Sequence, residues 1–158
     1  MIKSILTNSV FETKKSGEIL AKKILRNKTR KRAVVFGLEG ELGSGKTTFL
    51  QGFAKGLKIN EKVLSPTFII MRKFEIQDLR KSQNFNLQIP KFKTFYHIDC
   101  YRIKNQKEIL NLGFKKIISN PQNIVGIEWA ERIKKILPRE LITIKFKIIN
   151  KNKRKINF

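Results

Sequence analysis

Gly40-Glu41-Leu42-Gly43-Ser44-Gly45-Lys46-Thr47 is the stretch that decides the fold of this chain. It fits the pattern G-x-x-x-x-G-K-[ST], in which glycines let backbone N–H groups point inward around a polyphosphate. The apolar run 33–38 before it predicts a buried strand, and apolar residues at helical spacing over 48–57 predict a helix after it. This context favours a phosphate-binding loop over a glycine-rich turn that merely ends in Lys-Thr.

The loop residues have separate predicted tasks. We expect Lys46 to reach the β- and γ-phosphates of a nucleotide, and the Thr47 hydroxyl to bind Mg²⁺. The helix N-terminus adds a partial positive charge at the same place. The other residues predicted to contact the nucleotide are Glu41, Leu42, Gly43, Ser44, Gly45 and Thr48.

Composition indicates one globular domain over residues 1–158, with 41% hydrophobic residues. No apolar stretch approaches the roughly 20 residues of a membrane helix, and the first residues lack the apolar core of a signal peptide. The single cysteine, Cys100, excludes an internal disulfide framework. We therefore expect a cytoplasmic protein with no membrane partner.

The net charge of +23 has two possible explanations. A strongly basic protein is typical of nucleic-acid binding. A genome poor in G and C would equally enrich Lys, Ile, Asn and Phe without any such role, and the positive charges are spread along the whole chain. The second explanation is favoured as the main cause, although such a field would still attract RNA weakly and with strong salt dependence.

Periodicity and turn residues predict alternating strands and helices around the loop. The expected fold is α/β: a three-layer sandwich like that of phosphate-loop NTPases, with a mainly parallel sheet and one antiparallel strand pair. The predicted segments are a strand or arm over 1–9, a helix over 10–25, a basic loop over 27–32, paired strands over 68–76 and 93–101, an exposed loop over 77–91, helices over 105–112 and 130–137, a helical or irregular stretch over 114–119, a strand over 124–127, a strand over 141–149 and a tail over 150–158 that is either an edge strand or a loose basic end.

Two acidic residues lie at predicted strand ends. Asp99 stands in a dense polar cluster, where a carboxylate could orient an attacking water or hold Mg²⁺ through water. Glu128 ends an apolar strand downstream of the loop, the usual place of a carboxylate that contacts Mg²⁺ opposite the loop Thr. The alternative for Glu128 is a helix N-cap, for which Glu is not a favoured residue.

Three further residues lie near these predicted site residues in the sequence. Thr67 follows Pro66 in a fixed turn and is either a sensor of the γ-phosphate and Mg²⁺ or part of an ordinary turn. His97, the only histidine, is expected to be structural, and it excludes a histidine-based metal cluster. Trp129 is either a core residue or a neighbour of the nucleotide.

Four blocks of this sequence resemble the TsaE family, also called YjeE. They are 40–49, Ser65-Pro66-Thr67-Phe68, Tyr96-His97-Ile98-Asp99-Cys100-Tyr101-Arg102 and Ile127-Glu128-Trp129, with Glu108-Ile109-Leu110-Asn111-Leu112-Gly113 before the last. The resemblance covers about residues 10–149.

This resemblance implies an ATPase needed for threonylcarbamoyladenosine (t6A) at position 37 of tRNAs that read codons beginning with A. It implies ATP and Mg²⁺ as cofactors and a TsaB–TsaD heterodimer as partner. Because fast turnover at a phosphate loop usually needs a supplied arginine or an ordered switch segment, we expect slow hydrolysis by the isolated protein. Lys46 would bind phosphates, Thr47 and Glu128 would serve Mg²⁺, and Asp99 and Thr67 would belong to the essential acidic block and the switch segment, so the expected catalytic residues are Lys46, Thr67, Asp99 and Glu128.

Two other classes of function share the same loop. A small-molecule kinase would need an arginine-rich lid, for which Arg72 and Arg80 are candidates, and it would yield a phosphorylated acceptor. A nucleotide-gated RNA-binding module would bind tRNA at physiological salt without a protein partner.

Overall fold

The computed structural model describes residues 4–26, 31–77 and 92–158. The elements are, in chain order, β1 (Ser4–Thr7), α1 (Val10–Leu25), β2 (Val34–Glu39), α2 (Lys46–Gly56), β3 (Met71–Glu75), β4 (Thr94–Asp99), α3 (Gln106–Asn111), α4 (Phe114–Ser119), β5 (Asn123–Glu128), a 3-10 helical segment (Ala130–Ile136), β6 (Ile142–Ile148) and β7 (Arg154–Asn157). No helix among the described residues is long and apolar enough to cross a membrane.

The strands form one seven-stranded sheet in the order β1-β7-β6-β2-β5-β4-β3. The pairs β6–β2, β2–β5 and β5–β4 are parallel. The pairs β1–β7, β7–β6 and β4–β3 are antiparallel, and they flank the parallel centre on both sides. The predicted α/β class and the predicted antiparallel pairing of β3 with β4 are confirmed. The sheet is mixed, with parallel pairs at its centre and antiparallel pairs on both sides.

Helices cover both faces of the sheet, because alternate side chains of each strand point to opposite sides. On one face, Phe36 and Leu38 of β2 share a buried cluster with Phe49 and Phe53 of α2. On the other face, Val35 of β2 lies in a second cluster with residues of α3, α4 and the 3-10 segment. This arrangement is the predicted three-layer sandwich.

Glycines let α1 and α2 lie in close contact on the first face. A Cβ at Gly17 would lie 2.1 Å from the Phe49 carbonyl oxygen, and a Cβ at Gly52 would lie 1.8 Å from the Lys14 carbonyl oxygen. The first turn of α1 is capped by Ser9, whose hydroxyl accepts from the Glu12 N–H at 3.1 Å. This tight packing places the N-terminus of α2 over the carboxyl ends of the parallel strands.

The helix predicted over 10–25 and the strand predicted over 141–149 are confirmed, the second to within one residue at each end. The strand predicted over 68–76 is wrong at its start, since β3 begins at Met71. The Pro66 carbonyl accepts from the N–H groups of Ile69 and Ile70, which closes a turn there, and Ile70 has a positive φ of 65°.

Two other predictions need correction. The tail does form a strand, but β7 lies between β1 and β6 and is not an edge strand. The helix predicted over 130–137 is a 3-10 segment interrupted at Ile133. The predicted loop 77–91 lies outside the described residues apart from Gln77, and so do residues 27–30 of the predicted basic loop.

Candidate active site

The phosphate loop joins β2 to α2 at the carboxyl ends of the parallel strands. Gly40 has a φ of 140°, and a Cβ there would lie 2.5 Å from the Phe146 carbonyl oxygen, so only glycine fits. Gly45 is the N-cap of α2, with a φ of 98° and no side-chain cap bond. The first N–H groups of α2 therefore have no capping side chain, which is the arrangement that binds anions at a helix start.

Lys46 is buried inside this loop, with only 4% of its surface exposed. Its Nζ donates to the carbonyl oxygens of Gly40 at 2.7 Å and Glu41 at 2.9 Å. The same Nζ lies 4.0 Å from the centre of the Trp129 ring. Burial lowers the pKa of Lys46 from its ordinary value, and the nearby carboxylate of Glu128 opposes that shift.

Thr47 and Glu128 face each other across the site. The Thr47 hydroxyl lies 2.9 Å from both Oε1 and Oε2 of Glu128, and it donates to that carboxylate. Glu128 ends β5 and is paired in register with Leu38 of β2, which packs against α2, so the Glu128 side chain points to the same face as α2. The two residues predicted to hold Mg²⁺ are thus in direct contact.

His97 touches the same carboxylate. Its Nε2 lies 2.8 Å from Glu128 Oε1, and the imidazole is fully buried. The register explains this contact, because His97 of β4 is paired with Gly126 of β5, two residues before Glu128 on the same face. Sequence reasoning gave His97 a structural role; the structure adds that it fixes the orientation of Glu128.

Asp99 is the neighbour of Glu128 in the β4–β5 register. Its Oδ2 accepts hydrogen bonds from the Ser65 hydroxyl and from the Thr67 hydroxyl, the second at 2.6 Å. Its Oδ1 accepts from the Tyr101 N–H at 2.9 Å. The carboxylate therefore holds the turn that carries Thr67 against the sheet.

These side chains surround a cavity of about 260 Å³. The predicted site residues that line it are Leu42, Gly43, Gly45, Lys46, Thr47, Thr48, Thr67, Asp99 and Glu128. Its other lining residues are Ser65, Tyr101 and Trp129. The two predicted nucleotide contacts that do not line it are Glu41 and Ser44. Ser44 is fully buried with its Oγ 3.4 Å from Lys46 Nζ, and Glu41 offers that ammonium its carbonyl.

An aromatic wall closes one side of the cavity. The rings of Tyr101 and Trp129 lie 5.1 Å apart between centres, and the Arg132 guanidinium lies 5.6 Å from the Tyr101 ring. Trp129 has a left-handed backbone with a φ of 58°, which is rare for a bulky residue. The backbone N–H of Trp129 donates to the Leu38 carbonyl at 3.0 Å, so the ends of β2 and β5 hold the ring over Lys46.

Sequence reasoning missed Arg154. This residue begins β7, and its Nη2 donates to the Gly43 carbonyl in the phosphate loop at 3.2 Å. Its Nη1 donates to three carbonyls of the β6–β7 turn, Asn150 at 2.8 Å among them. The guanidinium therefore ties that turn to the loop, although nothing in the sequence distinguishes it from the other basic residues of the tail.

Arg72, one of the two arginines proposed for a kinase lid, gives that alternative no support. Arg72 on β3 donates to Glu61 at 3.4 Å and lies over the Phe74 ring, and it does not line the cavity. Arg80 lies outside the described residues. Cys100 is buried, and burial raises the pKa of its thiol to about 12.

The donor set of the site fits Mg²⁺ and a polyphosphate. Hydroxyl and carboxylate oxygens are the ligands that Mg²⁺ prefers, and it usually takes one or two from the protein and the rest from phosphates and water. The described residues contain no group of three or more His, Cys, Asp and Glu that could hold a metal by themselves. Thr47 and Glu128 fit a site completed by phosphates.

Comparison with known proteins gives one family. The family model described as "Threonylcarbamoyl adenosine biosynthesis protein TsaE" matches residues 7–156. The tRNA threonylcarbamoyladenosine biosynthesis protein TsaE of Rickettsia felis is 33% identical over 151 residues, 95% of this chain and 75% of that protein. The protein of the same description from Bacillus subtilis is 36% identical over 124 residues, 78% of this chain and 68% of that protein.

A solved structure, that of Bacillus subtilis YdiB, is similar to this fold. Its TM-score is 0.64 at 29% sequence identity, covering 98% of this chain and 82% of that chain.

Proposed function

The chain belongs to the TsaE family, which acts in tRNA threonylcarbamoyladenosine biosynthesis, and from this we propose that it is a Mg²⁺-dependent ATPase of that pathway. The modification it serves is t6A at position 37 of tRNAs that read codons beginning with A. It acts in the cytoplasm with a TsaB–TsaD heterodimer, whose cycle ATP hydrolysis resets.

The observation that carries the proposal is the contact between Thr47 and Glu128. Their oxygens lie 2.9 Å apart beside a buried Lys46 at the end of the phosphate loop. A loop hydroxyl opposed by a strand-end carboxylate is how phosphate-loop NTPases hold Mg²⁺. A glycine-rich turn without a nucleotide role would not need a buried carboxylate facing that hydroxyl.

The residues have distinct roles in this proposal. The loop N–H groups and Lys46 bind the phosphates and neutralise their charge. Thr47 and Glu128 hold Mg²⁺, which supplies further charge neutralisation on the transferring phosphoryl group. Asp99 accepts the hydrogen bonds of Ser65 and Thr67, and it orients either the water or the switch turn that meets the γ-phosphate.

Slow hydrolysis by the isolated protein follows from the same contacts. Fast phosphoryl transfer usually needs an arginine that meets the γ-phosphate or an ordered switch segment. The Thr67 hydroxyl donates to Asp99, and the Arg154 guanidinium donates to the Gly43 carbonyl of the phosphate loop and to the Asn150 carbonyl of the β6–β7 turn. The TsaB–TsaD pair therefore either supplies a positive charge to the γ-phosphate or reorders the turn that carries Thr67.

The test is ATP hydrolysis by the purified protein with and without the TsaB–TsaD pair. We expect a slow basal rate, stimulation by the pair, and loss of both in Lys46→Ala, since hydrogen bonds from charged donors contribute about 1.5–3 kcal/mol each. An unchanged rate with the pair would refute the partner dependence. Nucleotide binding with no hydrolysis in either condition would refute the ATPase, and a phosphorylated small molecule would indicate a kinase.

A further inference from the structure

On the face opposite α1 and α2, no helix among residues 4–26, 31–77 and 92–158 packs on the half of the sheet formed by β6, β7 and β1. On β6 and β7 the residues that point toward those helices are buried, among them Ile144, Phe146 and Ile156. The alternate residues Lys145, Lys147 and Lys155 are exposed. We call these three side chains, with Lys151 and Lys153 of the β6–β7 turn, the lysine face.

The strand register sets like charges against each other on the lysine face. Lys147 is paired with Lys155, and Lys155 is paired with Leu6 on the other side. Like charges directly opposite in a sheet are destabilising. Lys145 lies 3.6 Å from Glu39, whereas the ion pairs found among the described residues include none for Lys147 or Lys155.

Protection of a sheet edge does not explain these lysines. Lysine discourages edge-to-edge pairing when it lies on an outer strand, but β6 and β7 are internal strands of this sheet. The edge strand on this side is β1, and its described residues, Ser4–Thr7, contain no lysine.

The turn of the lysine face lies near the phosphate loop. β6 runs parallel to β2, so the β6–β7 turn lies at the same end of the sheet as the phosphate loop. Arg154 joins that turn to the loop through the Gly43 carbonyl. A polyanion on the lysine face that reaches Lys151 and Lys153 would therefore lie at the phosphate-loop end of the sheet, on the face opposite α2.

We propose that the lysine face binds the phosphate backbone of tRNA. Lysine ammonium groups contact phosphates as point charges, and each contact releases counterions from the RNA. The choice of tRNA as the polyanion rests on the proposed function, because the family acts on tRNA; the binding itself requires no ATP hydrolysis. The repulsion between Lys147 and Lys155 is relieved when a phosphate lies between their ammonium groups.

The test compares two double variants of the full chain that lose the same charge. Lys147→Gln with Lys155→Gln removes the central pair of the lysine face. Lys115→Gln with Lys116→Gln is the control, since both residues are exposed on α4. Binding of fluorescent tRNA is measured by anisotropy between about 0.05 and 0.3 M salt.

We expect the first variant to bind tRNA about 15- to 30-fold more weakly at about 0.15 M salt. The slope of log affinity against log salt should become shallower by about 2, roughly 1 for each lysine. The control should bind within about twofold of the unchanged protein, and Lys147→Arg with Lys155→Arg should retain binding. The unfolding temperature of the first variant should not fall, because a repulsive pair is removed.

Three outcomes would overturn the proposal. Equal losses in the two Gln variants would show that overall charge, and not this face, attracts tRNA. No tRNA binding by the unchanged protein at physiological salt would exclude the site. If Lys147→Gln with Lys155→Gln loses binding to phosphatidylserine vesicles but still binds tRNA, the lysine face binds a membrane surface and not tRNA.

Hydrolysis of ATP is measured on the same samples. If tRNA binding fails while hydrolysis persists, the lysine face is refuted and the proposed function stands. If the unchanged protein binds tRNA through this face but hydrolyses no ATP with or without the TsaB–TsaD pair, the proposed function is refuted and the lysine face stands.

Discussion

Replacement of Glu128 by Gln should impair hydrolysis much more than ATP binding. The carboxylate is 3% exposed, accepts from Thr47 at 2.9 Å and lies 2.8 Å from His97 Nε2. Gln keeps the size of the side chain and one acceptor oxygen but removes the charge and the second acceptor. Phosphate binding depends on Lys46 and the loop N–H groups, which this change leaves in place.

The size of the effect follows from the charge removed. Loss of one preorganised electrostatic group in a water-excluded site costs about 2.7–4 kcal/mol, or roughly 10²–10³ in kcat. The pKa of Lys46 should also fall further below its ordinary value, since Glu128 is the strongest group that opposes the effect of burial. We expect the Kd for ATP to change by no more than about threefold, because uniform binding is retained.

The assay is steady-state hydrolysis with the TsaB–TsaD pair over a Mg²⁺ titration, beside ATP binding by calorimetry. Glu39→Gln is the matched control, because Glu39 ends the neighbouring strand β2 but pairs with Lys145 and does not line the cavity. Its kcat should stay within about twofold of the unchanged protein, since surface ion pairs contribute about 0–1 kcal/mol. Equal losses of kcat and ATP affinity in Glu128→Gln would refute the assigned role.

Three further changes test other parts of the site and its support. Arg154→Met should weaken ATP binding about threefold, since a partly exposed hydrogen bond to the loop contributes about 0.5–1.5 kcal/mol; calorimetry would show no change if other contacts hold the loop. Gly52→Ala should lower the free energy of unfolding by about 1–3 kcal/mol, because the new Cβ would lie 1.8 Å from the Lys14 carbonyl oxygen. An increase in stability on urea denaturation, the usual result of Gly→Ala in a helix, would contradict that packing. The emission of Trp129, the single tryptophan, should change when ATP binds, because the Lys46 ammonium lies 4.0 Å from its ring and would turn to the phosphates. Lys46→Ala should then show a much smaller change at saturating ATP, and an equal change would assign the signal to another cause.

Much of the site could be predicted because its signals are local in the chain. The phosphate loop is one unbroken stretch with its strand and helix on either side, so the context that confirms it lies within the same window. Asp99 and Glu128 each end a largely apolar strand. The carboxyl ends of parallel strands meet at one edge of a sheet, and the register does pair these two residues.

Other features could not be predicted because they depend on partners far along the chain. Arg154 and Gly43 are 111 residues apart, and their contact exists only because β7 pairs with β6. The place of β7 inside the sheet depends in turn on β1, which pairs with it from the opposite end of the chain. A short basic tail gives the same pattern whether it is an edge strand or an internal one.

Unusual backbone conformations are the second kind of feature that could not be predicted from the sequence. Ile70 and Trp129 have φ values of 65° and 58°, which bulky side chains rarely adopt and which no apolar periodicity reveals. Each lies beside an essential contact of the site: Ile70 ends the turn that carries Thr67, and Trp129 directly follows Glu128. Such backbone strain costs about 1–3 kcal/mol per residue and persists only where the surrounding structure holds it. The hydrogen bonds that hold it here are those of the switch turn and of the strand ends around the nucleotide cavity. Both positions therefore lie next to residues that line the cavity, and a close physical contact rather than a sequence pattern sets their backbone conformation.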